Sequence, residues 1–328
     1  MNEPFQELLA GLRAAAEATR LRVLALCAEG ELSVGEIARI LDQSQPRISR
    51  HLKLLCEAGL VDRFPEGASA FYRAAQRGPG AALVAALIAR LPDADRTLAA
   101  DRDALAAVRD ARFAEASARF RRYAPRWNKV RALYVAEDEV ERLLAGLIPE
   151  TGLGDLLDIG TGTGRMLELF APRAARAVGI DSARDMVALA RANLARAGLA
   201  NCTVRQADMF RLPWPAGSFD LALMHQVLHF AETPAAAIAQ AARVLRPGGE
   251  LVVVDFAPHG LRELFEADDH RRLGFEDDEM LDWFRAGALE PQPVRRLPGD
   301  PLTVTVWRGR RPAAVDTEPV SQPRQGAA

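Results

Sequence analysis

The 328-residue sequence sets 42 Lys and Arg against 44 Asp and Glu, a formal charge of -2, which excludes a uniformly basic surface and leaves any nucleic-acid signature to local clusters. Its 49% hydrophobic and 26% charged residues suit globular folding, and the length exceeds one typical domain. Cys27, Cys56 and Cys202 are too far apart for a disulfide framework or a close-spaced metal site, so they are expected as small buried residues in a reducing compartment.

The opening MNEPFQELL is acidic and leads straight into a helical pattern, so no cleavable signal is expected. Arg, Asp or Glu interrupts every apolar stretch before it reaches membrane-spanning length, and the expectation is a cytoplasmic protein.

Apolar residues recur at helical spacing from Phe5 to Cys27, and Ser33-Val-Gly-Glu36 is a capping box that starts a short helix through Ile37, Ile40 and Leu41. Ser44 is a suitable N-cap for the next helix, Pro46 is tolerated in its first turn, and Ile48, Leu52 and Leu55 form one apolar stripe ending at Gly59. Two strand-like runs follow, Leu60 to Phe64 and Ser69 to Ala74. The order predicted is helix, turn, helix, hairpin.

Pro79 to Leu91 reads as a helix, and an Ala/Arg/Asp-rich helical segment runs from about Asp95 to Tyr123. Its stripe of Leu98, Leu105, Val108, Phe113 and Phe120 is imperfect, which fits either a dimer-forming helix or a solvated spacer. Between Arg112 and Arg131 seven Arg or Lys face only Glu115.

From Gly154 short apolar runs alternate with helical patterns, the signal of a parallel sheet covered by helices on both faces. Strands are expected at 156–159, 177–180, 203–206, 219–224 and 251–254, with a terminal hairpin at 293–297 and 302–307. The predicted organisation is an N-terminal domain over 1–92, a helical connector over 93–124, an α/β domain over 125–308 and a disordered tail over 309–328.

Chemistry concentrates in two places. Between Gln43 and Cys56 there is no carboxylate. Once Ile48, Leu52 and Leu55 face the core, Ser44, Gln45, Arg47, Ser49, Arg50, His51 and Lys53 are left on the polar side, with Gln and Arg suited to bidentate base contacts. Arg63 and Arg73 on the hairpin are placed to reach the flanking backbone or minor groove. A solvated surface helix is the plainer alternative for such a pattern.

The second place is Asp158-Ile-Gly160-Thr-Gly162-Thr-Gly164, a strand entering a glycine-rich turn, without the Lys-Ser/Thr of a P-loop. Twenty-one residues after Gly160 the next strand ends in Asp181, where a carboxylate can accept from both hydroxyls of a ribose. After the fourth strand, His225 and His229 stand four apart, open to roles as base, acceptor contact or hydrogen-bonded pocket wall. His259 and His270, with Asp268 and Asp269, make no convincing metal site and are assigned to a cover over the pocket, so no metal is expected.

Residues 17–61, including Ser44-Gln45-Pro46 and Ser49-Arg50-His51-Leu52, resemble the ArsR/SmtB family of winged helix-turn-helix repressors. The resemblance implies a bacterial homodimer on palindromic double-stranded operator DNA. Metal-sensing members often carry two thiolates where this chain has Ser33 and Gly35, so the resemblance carries DNA binding without metal sensing. His51 then reads as a surface or packing residue.

The order of the glycine turn, Gly179-Ile180-Asp181, Ala207-Asp208-Met209 and Leu245-Arg246-Pro247-Gly248-Gly249 resembles the class I S-adenosylmethionine-dependent methyltransferases, an α/β Rossmann-like fold. That resemblance implies a cofactor site of Asp158, Gly160, Thr161, Gly162, Gly164, Asp181, Ser182, Met186, Asp208, Met209 and His225, with Asp208 and Met209 at the adenine. For Asp158 and Asp208, turn capping is the alternative. An amino-methylating DNA enzyme would carry Asn or Asp followed by Pro-Pro and an aromatic where this chain has Met224-His225-Gln226, so a small-molecule acceptor is the natural substrate of an enzyme reading. Fused chains of this kind resemble bacterial controllers of the methionine and S-adenosylmethionine cycle, which favours sensing of S-adenosylhomocysteine or S-adenosylmethionine over turnover.

Overall fold

The computed structural model describes residues 3–66, 69–92, 94–120, 136–261 and 271–313. The N-terminal part contains α1 (Glu3–Ala15), α2 (Ala18–Ala28), β1 (Leu32–Ser33), α3 (Val34–Ile40), α4 (Gln45–Glu57), β2 (Val61–Glu66), β3 (Ser69–Ala74) and α5 (Gly78–Ile88). The capping box forms: Ser33 Oγ accepts from the Glu36 amide while the Glu36 carboxylate accepts from the Ser33 amide. Asp42 takes a positive φ of 50° in the turn between α3 and α4, a position that Asp tolerates better than most side chains. Leu24, Ile37, Ile48, Leu52, Leu55 and Leu60 are fully buried in one core. The sheet order β1-β3-β2 completes a winged helix.

The α/β part runs through α7 (Glu137–Leu147), β4 (Asp155–Ile159), α8 (Arg165–Phe170), β5 (Arg176–Asp181), α9 (Arg184–Arg196), β6 (Cys202–Gln206), β7 (Phe219–His225), α10 (Pro234–Val244), β8 (Leu245–Phe256), α11 (Asp277–Ala286), β9 (Glu290–Pro291), β10 (Arg295–Leu297) and β11 (Val304–Arg310). Their order in the sheet is β10-β11-β8-β7-β4-β5-β6, parallel from β8 to β6, with β11 antiparallel to β8 and β9 paired to β11. All five residues of β4 are buried because apolar clusters cover both faces, as parallel strands require.

β8 begins six residues before its expected start and incorporates the Arg246–Gly249 turn sequence. A register shift between Phe219 and Leu221 on β7 accommodates it. β10 starts at Arg295 instead of Pro293, a residue with no N–H to give a ladder. The tail is expected to begin at 309, yet Arg310 ends β11 and Arg311 Nη1 donates to the carbonyls of Ala242, Arg243 and Leu245 at 3.0, 3.2 and 2.8 Å. The rest of the expected tail, 314–328, lies outside the described residues.

The connector helix α6 (Arg96–Phe120) packs on both sides within the chain. Leu105 and Val108 join the winged-helix core, while Ala116 clusters with Leu189 and Ala192 of α9, with Phe113 against them. Arg22 holds Asp101 through two hydrogen bonds of 2.7 and 2.6 Å, and Arg112 pairs with Glu36. A solvated spacer therefore does not describe α6, since Leu105 and Val108 of its imperfect stripe serve one apolar surface and Phe113 another. The boundary expected at 124 and most of the basic run up to Arg131 lie outside the described residues.

Candidate cofactor pocket and nucleic-acid interface

On α4 the two faces separate as the periodicity requires. Ser44, Gln45, Arg47, Ser49, Arg50 and Lys53 are exposed, and Ile48, Leu52 and Leu55 are buried. Ser44 is the N-cap by backbone geometry without a side-chain capping bond. His51 is partly buried, 3.6 Å from the Glu17 carboxylate, and burial with the nearby Arg20, Arg47 and Arg50 holds its pKa below the ordinary value despite that carboxylate.

The hairpin residues part company. Arg63 is exposed, whereas Arg73 is 2% exposed and donates from Nη1 to the carbonyl oxygen of Cys202 at 2.7 Å. Strand alternation sends the Arg73 side chain to the opposite face from its neighbours, and that face is covered by the α/β domain. Arg73 is thus an interdomain residue in this arrangement, not a free DNA contact. Around it Arg205 stacks 3.7 Å from the Phe64 ring centroid and Arg191 stacks 4.1 Å from that of Phe71. Glu31 pairs with Arg205 and lies 3.8 Å from Arg191. Arg196 stacks over Phe113 of α6 at 4.0 Å. Sequence reasoning misses all of these, because each reads alone as an ordinary surface residue.

The glycine turn lines a cavity of about 220 Å³ at the carboxyl ends of β4, β5 and β7. Asp158, Gly160, Thr161, Gly162, Asp181, Ser182, Met186, Met209 and His225 all contribute to its wall. Gly160, Gly162 and Gly164 have φ of 75°, 53° and 87°, a region glycine enters without penalty. A Cβ on Gly160 would collide with Val227, one on Gly164 would meet Ala190 at 3.2 Å, and one on Gly162 would meet nothing within 4 Å. Gly162 is therefore the backbone that a ligand can approach, while Gly160 and Gly164 allow close packing of the turn. Gly164 itself is the N-cap of α8 and does not line the cavity.

Asp181 accepts from the Gly162 amide at 3.0 Å and from the Ala183 amide at 2.8 Å, which fixes its carboxylate at the end of β5 with lone pairs left for hydroxyl donors. Burial raises its pKa and these backbone donors oppose the rise. Asp158 is buried and accepts a 2.6 Å hydrogen bond from Thr161 Oγ1. Burial, together with the nearby Asp181, pushes its pKa up to about 7 against the pull of that hydrogen bond.

Two expected residues fall elsewhere. Asp208 is exposed, accepts from the Phe210 amide at 2.9 Å and is not in the cavity wall, the turn-capping alternative for this position. His229 is 3% exposed and also lies off the wall, with Nδ1 2.8 Å from Asp255 Oδ1 and its backbone carbonyl accepting from Arg271 and Arg272. A spacing of four brings two side chains into direct neighbourhood on a helix. Here β7 ends at His225, Gln226 turns at φ 50°, and a 3-10 turn follows at Leu228–Phe230. His229 is thus buried beside Asp255, and of the pair His225 is the one in the cavity wall.

Glu137, Arg165, Gln226, Val227 and Phe230 also line the cavity, and no motif pointed to them. Among the described residues no group of three or more His, Cys, Asp or Glu could hold a metal ion, and no helix is long and apolar enough to cross a membrane. Asp268, Asp269 and His270, assigned to a cover, lie outside the described residues.

The chain thus joins a winged helix to a Rossmann-like α/β sheet with parallel strands. Residues 17–63 match the arsR family of bacterial regulatory proteins, and residues 157–253 match a methyltransferase domain. The demethylmenaquinone methyltransferase of Thermus thermophilus is 35% identical over 140 residues, 41% of this chain and 63% of that protein. The 27-O-demethylrifamycin SV methyltransferase of Amycolatopsis mediterranei is 33% identical over 161 residues, 45% of this chain and 58% of its own length. The solved YcgJ protein of Bacillus subtilis aligns over 54% of this chain and all of its own, at 19% identity and a TM-score of 0.49. The chain spans less than two thirds of these curated relatives. It carries an ArsR-family helix-turn-helix domain followed by a class I, S-adenosylmethionine-dependent methyltransferase domain.

Proposed function

We propose that the chain is a homodimeric transcription regulator whose operator affinity depends on S-adenosylhomocysteine or S-adenosylmethionine held in its methyltransferase domain, controlling genes of the methionine and S-adenosylmethionine cycle. The observation that carries this reading is the position of α9. Ser182, just before this helix, and Met186 in its first turn line the cavity. Leu189 and Ala192 further along pack on α6, and Arg191 and Arg196 stack on Phe71 and Phe113. One helix thus lines the candidate ligand cavity at its start and packs on the connector and the wing further along, which supports coupling between two arrangements of the chain.

The residues fit the ligand. A ribose contact is supported by the Asp181 carboxylate fixed at the end of β5, a close backbone approach by the open space at Gly162, and a contact to an ammonium group by the Asp158 carboxyl in the cavity wall. When bound, the sulfonium form supplies a transferable methyl group, and the demethylated form supplies the same contacts without it. Homodimerisation is supported by Phe5, Leu8 and Leu12, which lie at helical spacing on α1 and are 51%, 47% and 43% exposed.

An active small-molecule methyltransferase anchored to DNA is the second reading, favoured by His225 in the cavity wall, where it could receive an acceptor's proton. Calorimetry with S-adenosylhomocysteine, beside a duplex-selection assay and a search for labelled methyl product from a metabolite extract, tests both. Ligand and duplex binding without product supports the regulator. Product formation with unchanged duplex binding supports the enzyme.

A further inference from the structure

A second cavity, of about 420 Å³, lies between the wing and the α/β domain. It shares no lining residue with the glycine-turn cavity. Its wall carries four guanidinium groups, Arg73, Arg77, Arg176 and Arg205, against one carboxylate, Asp62.

The arginines are incompletely neutralised. Asp155 alone serves Arg77, Arg176 Nε at 3.1 Å and Arg246 Nη2 at 2.6 Å, while Arg246 also reaches Asp220. Arg73 donates to a neutral partner, the Cys202 carbonyl, with the Glu31 carboxylate near enough to oppose the fall in its pKa. Arg205 gives Nη1 to Glu31, but its Nη2 is buried without a hydrogen-bond partner. Burial lowers the pKa of Arg73, Arg77 and Arg176, and neighbouring guanidiniums lower Arg77 and Arg176 further. Arg73 is buried and Arg176 and Arg205 are partly so, while Arg77 stands at the open side, and cations so placed are stabilised by an anion that offers several acceptor oxygens at once.

The apolar part of the wall selects the kind of anion. Phe64 and Trp214 contribute flat rings, and the volume falls in the range of organic-ligand pockets, roughly 300–1,000 Å³. We propose that this interdomain cavity is a second ligand site, taking a small organic anion with a phosphate or carboxylate head on a flat apolar body. Such a ligand touches β2 and β3 of the wing through Phe64 and Arg73, and the α/β domain through Arg176, Arg205 and Trp214. It therefore favours the arrangement in which the wing is held.

The test uses the full-length protein saturated with S-adenosylhomocysteine, titrated with phenyl phosphate, benzoate, inorganic phosphate and phenol, read by calorimetry and tryptophan fluorescence. Phenyl phosphate or benzoate should bind, the tighter of the two naming the head group, and phenol should not. Arg77→Gln and Arg176→Gln should each weaken anion binding about tenfold or more, the scale of one charge-assisted hydrogen bond. Affinity for S-adenosylhomocysteine should stay unchanged. Arg77 is 55% exposed, so its variant keeps the test valid should Arg176→Gln misfold. Absence of binding by every anion, equal binding of phenol, parent-like affinity in Arg77→Gln, or competition with S-adenosylhomocysteine overturns the proposal. A loss of duplex affinity in the variants without any anion binding assigns these arginines to DNA phosphates and overturns it as well.

Discussion

Arg73 on the wing and Cys202 at the start of β6, 129 positions apart in sequence, are joined by a 2.7 Å hydrogen bond from a guanidinium that is 2% exposed. A wing residue whose charge suits DNA is instead held by the α/β domain. Wing and α/β domain thus share a buried polar contact.

Replacing Arg73 by Ala should loosen that interface by about 1–3 kcal/mol, the scale for a buried carbonyl losing its donor. We predict faster amide hydrogen exchange at 61–74 and 202–206 in Arg73→Ala, with S-adenosylhomocysteine affinity little changed. Exchange equal to the parent's would contradict the interface.

Asp158 makes a pH prediction. Its folded pKa of about 7 lies above the ordinary 3.8. A raised carboxyl contributes stability below its unfolded value, and that contribution is lost as pH rises from about 4 through 7. The ligand-free protein should therefore lose stability across this window, and Asp158→Asn should lose less. Pairing with a ligand ammonium needs the ionised form, so S-adenosylhomocysteine affinity should rise with pH by up to about tenfold per unit and level off above 7. The same pH profile in Asp158→Asn would show that another group is responsible.

Asp181→Ala should weaken S-adenosylhomocysteine binding by about 1.5–3 kcal/mol, the range for hydrogen bonds to a charged group. The Gly162 and Ala183 amides also lose their acceptor, so thermal melting of the ligand-free variant separates binding from folding. Calorimetry giving the parent affinity would remove the ribose assignment.

Arg50 is exposed on α4 and has no role in the winged-helix core. Arg50→Ala should reduce affinity for a duplex selected by the parent protein by about 1–3 kcal/mol, the discrimination of one base contact. Ligand affinity should not change. Unaltered duplex affinity across a salt series would reject α4 as the reading element.

The elements that were legible carry their information locally. The stripe of Ile48, Leu52 and Leu55 places Arg50 outward by helical period, and the glycine turn places Asp181 opposite Gly162 by strand order. The pairing of Arg205 with Phe64, and of Arg191 with Phe71, joins residues over 100 positions apart and leaves no period to read. His229 shows the other limit. The spacing of four from His225 suggests a shared site, but the chain between them is a strand end and a 3-10 turn, and His225 is the one that lines the cavity.

The most direct measurement is titration of a selected duplex with cofactor-stripped protein at fixed salt, without ligand, with saturating S-adenosylhomocysteine, and with saturating S-adenosylmethionine. Coupling through α9 and the wing interface should change affinity roughly 5- to 150-fold for at least one ligand, a coupling of about 1–3 kcal/mol. Three superimposed curves would contradict the account and leave a methyltransferase domain carried beside an independent DNA anchor.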